Sequence, residues 1–426
     1  MTQELPTKRI FLLCLAVSGI LALLQPPAGA ASPFDLLLQQ EPPAEISPAD
    51  KQPLVRKPPL GRRPPRPATR EELRAAMLKR SRELRLTGVN PMWGDFFGGL
   101  PFVARVPDGT SSSGPPPQWP SEAIAGAQFN LPPGGGVSFR RIKLAEGNSP
   151  LPTDRWIANY SFFNDVLLLG DVNRYTLGFE KTFDEGLKSI ELRLPIASTL
   201  SADQQANTPL RHSTQVGNLS LAYKKIIGVR GPVLTCAGLG ITMPTAADSR
   251  LLNAQQEELI RVDNQAVHLL PFVSWIWEGN DRLTWQAFLQ LDVDAGGNPV
   301  VIAGSDGPAP AGRLRDATLM FIDMGFTYRW LEDRQGLVRS VTPFAEIHYS
   351  GTLEDAPGLA FGGAGQFQID LDPLGRRYDV VNLSLGTHLQ IGERLFVRPG
   401  IVVPLRKSVL DRQFDYEVGV QVSLLH

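Results

Sequence analysis

The chain has 426 residues, with 42 Lys and Arg against 43 Asp and Glu, and aromatic residues make up 8%. A formal net charge of −1 lacks the basic bias of a nucleic-acid-binding protein, so no nucleic-acid partner is expected. Only Cys14 and Cys236 are present, too few for a cysteine zinc cluster.

Lys8 and Arg9 precede an apolar run from Ile10 to Leu24, then Pro26-Pro27 and Ala28-Gly29-Ala30. This is the order of an export signal, and it predicts cleavage after Ala30 with removal of residues 1–30. The other reading, a membrane anchor, needs about 20 apolar residues, and the run is shorter. Cleavage would leave Cys236 alone, with no disulfide possible within the mature chain.

Residues 31–90 are expected to form a proline-rich, basic periplasmic tail. Pro42-Pro43, Pro58-Pro59 and Pro64-Pro65 interrupt backbone pairing and predict disorder. Within it, Thr69-Arg70-Glu71-Glu72 has capping-box spacing and predicts one short helix over 69–86, with a weak apolar stripe through Leu73, Met77 and Leu84. The segment reads either as a solvated tail or as a tether to an anionic envelope polymer or lipid surface. Residues 91–136 are transitional. The aromatic, glycine-rich stretch from Trp93 to Gly99 fits a plug inside a barrel or packing under its rim, and the sequence leaves both open.

From residue 137 to 426 the pattern is that of amphipathic strands. Tyr175, Leu177 and Phe179 alternate with Thr176, Gly178 and Glu180, and Met320, Ile322, Met324 and Phe326 alternate with Asp323, Gly325 and Thr327. Side chains in a strand point to opposite faces with period two, so each segment has one apolar and one polar face. Similar runs near 155–163, 190–196, 218–224, 233–244, 268–278, 283–294, 341–350, 381–390, 394–405 and 416–425 bring the count to about twelve. The segment Val137–Leu144 has room for another, giving a range of roughly ten to fourteen. Long polar stretches at 200–215, 245–265, 295–315 and 353–377 look like extracellular loops, and the tight connections at Asp184–Lys188 and Gly392–Glu393 look periplasmic.

The fold class expected is therefore all-β, a transmembrane antiparallel β-barrel in the cell outer membrane. A soluble secreted β-protein would put the apolar face inside. Against that, the polar face mixes Gly, Thr, Ser, Asn and Gln with both charge signs, and Tyr175, Tyr328, Trp330, Tyr349 and Tyr416 fall towards strand ends. The last strand, Glu417-x-Gly419-x-x-Val422-x-Leu424, fits the terminal signal read by barrel-assembly machinery, although the chain ends on His426 and not on an aromatic. Expected partners are thus outer-membrane lipid, that machinery and a small-molecule solute.

Phe139 to Lys143, Leu151 to Arg155, Asn159 to Phe163, Asn173 to Tyr175 and Gly178 to Lys181 together resemble a bacterial family of outer-membrane barrel transporters. That family is loosely related to the barrel proteins associated with phenol meta-cleavage pathways. The resemblance spans roughly residues 95–426 and implies a channel or uptake role for small, aromatic or apolar compounds. It carries over no substrate-binding residues.

The alternation points ten charged side chains into the lumen: Glu180, Glu191, Arg193, Lys224, Asp292, Asp323, Arg329, Glu346, Arg398 and Glu417. They would form cross-strand ion pairs filling a narrow barrel, or a field that sets which solutes pass. His348 and Ser350, with Glu346 nearby, are the strongest catalytic candidates, and they share the inward face without an orienting partner or oxyanion hole. Asp292 and Asp294 share a strand face that suits a cation, but no histidine or carboxylate spacing signals a metal centre, and no cofactor is expected. The function expected is a channel or passive transporter, and not an enzyme. An envelope structural or adhesion barrel without transport is the alternative.

Overall fold

The structure is a computed structural model. It describes residues 69–426 except 88–89, 96–101, 106–138, 167–168, 206–207, 254, 281, 305–306, 334, 356–357, 362–368, 374–376, 378 and 409–411. The predicted signal peptide, residues 31–68 of the tail and most of 91–136 lie outside the described residues.

Twelve strands form one closed antiparallel ring. They are β1 (Arg155–Val166), β2 (Gly170–Phe183), β3 (Lys188–Leu200), β4 (Leu219–Arg230), β5 (Val233–Met243) and β6 (His268–Glu278). The ring continues with β7 (Leu283–Asp294), β8 (Leu319–Tyr328), β9 (Val338–Thr352), β10 (Asp379–Ile391), β11 (Leu395–Pro404) and β12 (Tyr416–Leu425). Each strand pairs with its neighbours in sequence, and β1 closes on β12 from Arg155 opposite Leu425 to Asn164 opposite Tyr416. Closure leaves no free edge, which matters for strands this long.

The two faces are inverted relative to a soluble protein. On β8, Asp323 is 0% exposed while its neighbours Ile322 and Met324 are 39% and 52% exposed. Arg155, Arg174, Glu180 and Lys224 are likewise buried, whereas Trp156, Leu177, Ile190 and Ile347 face outward. Aromatics gather at two levels of this outer surface. Trp277, Trp285 and Phe326 meet in turn as tilted rings at the tight-turn end, and Phe162 meets Tyr416 towards the other end. Such paired girdles around an apolar band mark a lipid-facing barrel.

The long connections are not plain loops. Residues 307–314, 298–304, 258–262, 249–252 and 203–205 pair into a second, five-stranded sheet, and residues 102–105, 369–373 and 359–361 form a three-stranded one. The first holds buried Leu251, Ile260, Val262 and Val300, short apolar alternations that a count of polar residues overlooks.

At the tight-turn end lies the one α-helix among the described residues, α1 (Arg70–Thr87). The capping box forms as the sequence predicts: the Thr69 N–H donates to Glu72 Oε2 at 2.7 Å and the Glu72 N–H to Thr69 Oγ1 at 3.2 Å. The weak stripe suffices because the helix docks. Leu84 is buried with Leu151, Leu187, Ile226, Leu234, Cys236 and Ile276, and Met77 and Leu78 pack against them. Arg74 bridges Asp184 and Glu185, both at 2.8 Å, and Arg80 reaches Glu278 at 3.0 Å.

Candidate functional site in the barrel interior

Residues 139–151 do not form the further strand that the alternation allows. They run as successive turns, every one of them buried, and precede the first barrel strand at Arg155. Residues 90–95 lie against them. Met92 N donates to Asn148 O at 2.7 Å and Gly147 N to Trp93 O at 3.1 Å. Gly94, at φ +78°, approaches the Glu146 backbone so closely that a Cβ there would collide with it, so glycine is required.

These two segments touch the inward side of all twelve strands. Arg155 of β1 donates to Gly147 O at 2.9 Å, Arg174 of β2 pairs with Glu146, and Glu191 of β3 accepts from Asn148. Lys224 of β4 donates to Ser149 O at 2.7 Å, and Gly240 of β5 lies beside Leu144. His268 of β6 and Asp292 of β7 meet Arg141, Asp323 of β8 meets Lys143, and Glu346 of β9 accepts the Trp93 N–H at 2.8 Å. Asn382 of β10 donates to Asp95, Gly400 of β11 lies beside Trp93, and Gln421 of β12 donates to Trp93 O at 2.7 Å. Only an element inside a closed ring can reach all its strands from one face. The described part of the aromatic segment, residues 90–95, therefore sits inside the barrel and not under its rim.

Nine of the ten predicted lumen residues are buried within this interior. Glu180 accepts from Arg155 at 2.9 Å, Lys224 at 3.0 Å and Ser189 at 2.7 Å. Glu191 meets Arg155 at 2.9 Å and Arg193 at 2.7 Å, and Arg193 also donates to Glu146 O. Asp292 is held by Arg141 at 3.0 Å and His268 at 2.7 Å. Asp323 pairs with Lys143 and with His348 at 2.8 Å. Glu346 accepts from Gly94 N at 3.0 Å and lies 3.1 Å from His348 Nε2. Arg329 is the departure: it lies one residue past the end of β8 at Tyr328, part-buried at the tight-turn end and 3.6 Å from Glu332.

Arg398 and Glu417 are buried but differ from the other seven. Arg398 donates one bond, from Nη2 to Ser423 Oγ at 3.0 Å. Its Nε and Nη1, and Glu417 Oε2, have no hydrogen-bond partner among the described residues.

The pairing also decides the chemical candidates. Both ring nitrogens of His348 are engaged by carboxylates, Nδ1 by Asp323 and Nε2 by Glu346, so neither addresses Ser350. Asp95, Asp323 and His348 offer ligand atoms within 4.8 Å of one another, but the Lys143 ammonium already bridges both carboxylates, lying 2.9 Å from Asp95. An internal ammonium supplies there the charge a metal ion would bring. Asp292 and Asp294 do not act together. Asp294 accepts from Gly296 N at 2.9 Å and Gly297 N at 2.6 Å and holds a turn. The partners that sequence reasoning missed are Asp95, Arg141, Lys143, Glu146, Arg155, Arg174 and His268. Of these, Arg155, Arg174 and His268 sit at inward positions of the same alternation, the only signal that could have found them.

No protein-family model matches this chain, and no curated protein matches it. Among solved structures it is similar to the NanC porin, at 9% identity over 64% of this chain and 99% of that one, with a TM-score of 0.38. It is similar also to the Pseudomonas putida toluene transporter TodX, at 11% identity over 71% of this chain and 96% of that one, with a TM-score of 0.39. A third likeness is to an outer-membrane channel from Pseudomonas putida F1, at 9% identity over 65% of this chain and 97% of that one, with a TM-score of 0.39.

Proposed function

We propose that this chain is an outer-membrane channel that passes small molecules passively across a barrel gated by its own inner segments. The carrying observation is the inverted ring itself: apolar residues such as Ile322 and Met324 outside, polar and acidic ones such as Asp323 inside. A structure built only to sit in lipid gains nothing from a charged interior, because taking charges out of water costs more than pairing them returns. A polar interior is the natural lining of an aqueous route. In this reading the export signal at residues 1–30 delivers the chain, the tight-turn end faces the periplasm, and the long connections face outward. The terminal strand from Glu417 to Leu424 would be the segment met by the assembly machinery. The lumen charges then set which solute passes, and no catalytic step is assigned.

The filled interior favours a second reading, an envelope structural barrel without transport. Planar-bilayer conductance of the purified mature chain separates the two. Stepwise openings, enlarged when residues 31–136 are deleted, are the expected result. A folded barrel silent in both forms would sink the channel reading.

A further inference from the structure

His388, Arg398, Gln421 and Asn159 stand on four adjacent strands, β10, β11, β12 and β1. The registers place Arg398 opposite Gln421 and Gln421 opposite Asn159, and they bring His388 beside Arg398. All four are buried, at 5% exposure or less. Each keeps polar atoms without a partner among the described residues: both ring nitrogens of His388, Nε and Nη1 of Arg398, Oε1 of Gln421, and both amide atoms of Asn159. Buried polar groups are normally satisfied, so a whole row of orphans marks a place where something polar binds.

The charge at this row is positive. Among the described residues Arg398 is the one buried barrel cation with no carboxylate in ion-pair range. The charges that act on it are Arg155, Arg193 and Glu346. Glu346 is already taken by Trp93 N, Gly94 N and His348. Glu417 lies four residues along β12 from Gln421, about 13 Å at strand rise, too far to pair.

A cleft of about 230 Å³ opens at the tight-turn end, and Ser423 stands between it and Arg398. Ser423, the residue to which Arg398 donates, lines it, together with apolar Leu151, Phe396 and Leu425. Arg85 of α1 lies at the same cleft. Its guanidinium donates to the carbonyls of Pro152 and Gly186, at 3.1 and 2.7 Å, and forms no ion pair among the described residues, although Asp154 and Glu180 lie near enough to act on it. The acid of the cleft, Asp154, is occupied by Thr182 and Lys181.

We propose that the cleft and the row behind it bind a small organic acid, its carboxylate on Arg398 and its apolar body against Phe396 and Leu425. Arg398 is the specificity-determining residue, since a planar guanidinium with two free N–H groups matches a carboxylate. The part this site plays in passage rests on the channel reading; the binding itself does not.

The test uses the mature chain folded in detergent, with benzoate as probe and benzamide as its neutral counterpart at constant ionic strength. Ligand that binds only the folded state raises the unfolding midpoint. Benzoate is expected to raise it saturably and benzamide is not. Arg398→Gln is expected to weaken benzoate about tenfold, the loss of a charge-assisted pair. Should that variant fail to show the heat-modifiable mobility of a folded barrel, Arg85→Gln at the cleft mouth is expected to weaken benzoate about threefold. Equal responses to benzoate and benzamide in the wild type would overturn the site, as would undiminished benzoate binding in the folded variants. Benzoate binding without any bilayer conductance would keep the site and remove the channel reading. Conductance without benzoate binding would do the reverse.

Discussion

The walls formed by β1–β9 and by β10–β12 share the same alternation, polar inward and apolar outward, yet their inward charges meet different fates. From β1 to β9 every buried charge faces an opposite one. Glu180 gathers Arg155 and Lys224, Arg174 meets Glu146, Asp292 meets Arg141, and Asp323 meets Lys143. On β10–β12 Arg398 and Glu417 have no ion-pair partner among the described residues, and they and His388 retain orphaned atoms. The inner segments zip onto the first wall through ion pairs and rest on the second through Trp93, Gln421 and Asn382. The contrast assigns ion-paired holding to one side of the barrel and leaves unpaired polar groups on the other.

The sharpest way to break that contrast is to unpair the holding side. Lys143→Met leaves Asp95 and Asp323 facing each other, with only His348 between them. Removing one partner of a buried ion pair costs about 3–5 kcal/mol. The urea midpoint of the folded barrel in detergent should fall by an amount of that size, and conductance should rise as the inner segments loosen. A midpoint unchanged from wild type would mean that the cluster does not hold them.

Leu84→Ala tests the cap on the same side, since α1 packs on residues of β4, β5 and β6. Truncating a fully buried leucine costs about 2–5 kcal/mol, and here the loss falls on docking of the helix. Trypsin should then release peptides from 70–87, rich in Arg and Lys, well before the barrel is cut. Protection equal to wild type would show that the Arg74 and Arg80 bridges hold the helix without its apolar face.

The opposite sign is expected on the other wall. Arg398→Met removes an unpaired buried charge and replaces it with an apolar chain of similar length. Such replacements are neutral or stabilising, so the midpoint should stay within about 1 kcal/mol of wild type or rise. A fall as large as that of Lys143→Met would make the two walls equivalent and remove the distinction.

The sequence carried the ring more fully than its contents, for a physical reason. Period two is a local property, and the runs at 268–278, 283–294 and 416–425 are found as strands with the same limits. The segment from Phe139 to Leu151 does not become a strand, because its side chains answer to different strands in turn, Arg141 to β6 and β7, Lys143 to β8 and Glu146 to β2. Such partners lie far away in sequence and leave no local trace. Arg329 keeps the alternation but stands past the end of β8 at the tight-turn end, where it is only part-buried.

The smallest effect sharpens the comparison at the rim, where pairing is wet. Asp184, beside Arg74 and Lys188, has its carboxyl lowered from 3.8 to about 2, first by the Arg74 hydrogen bond and then by that from Lys188. A carboxyl with a depressed folded pKa contributes docking free energy above its unfolded value and loses it as pH falls through the folded one. The Arg74 contact is therefore complete above pH 4 and fades from there towards pH 2. Because the pair is open to water, salt screens it, whereas the Lys143 cluster is buried and is screened far less. Hydrogen exchange of α1 amides at pH 6 and pH 3, in low and high salt, reads both effects. Protection factors of α1, corrected for the intrinsic pH dependence of exchange, should fall modestly on acidification and on adding salt, while amides of residues 141–146 stay protected. Equal loss of protection in both segments would mean that rim and interior are held by the same kind of contact.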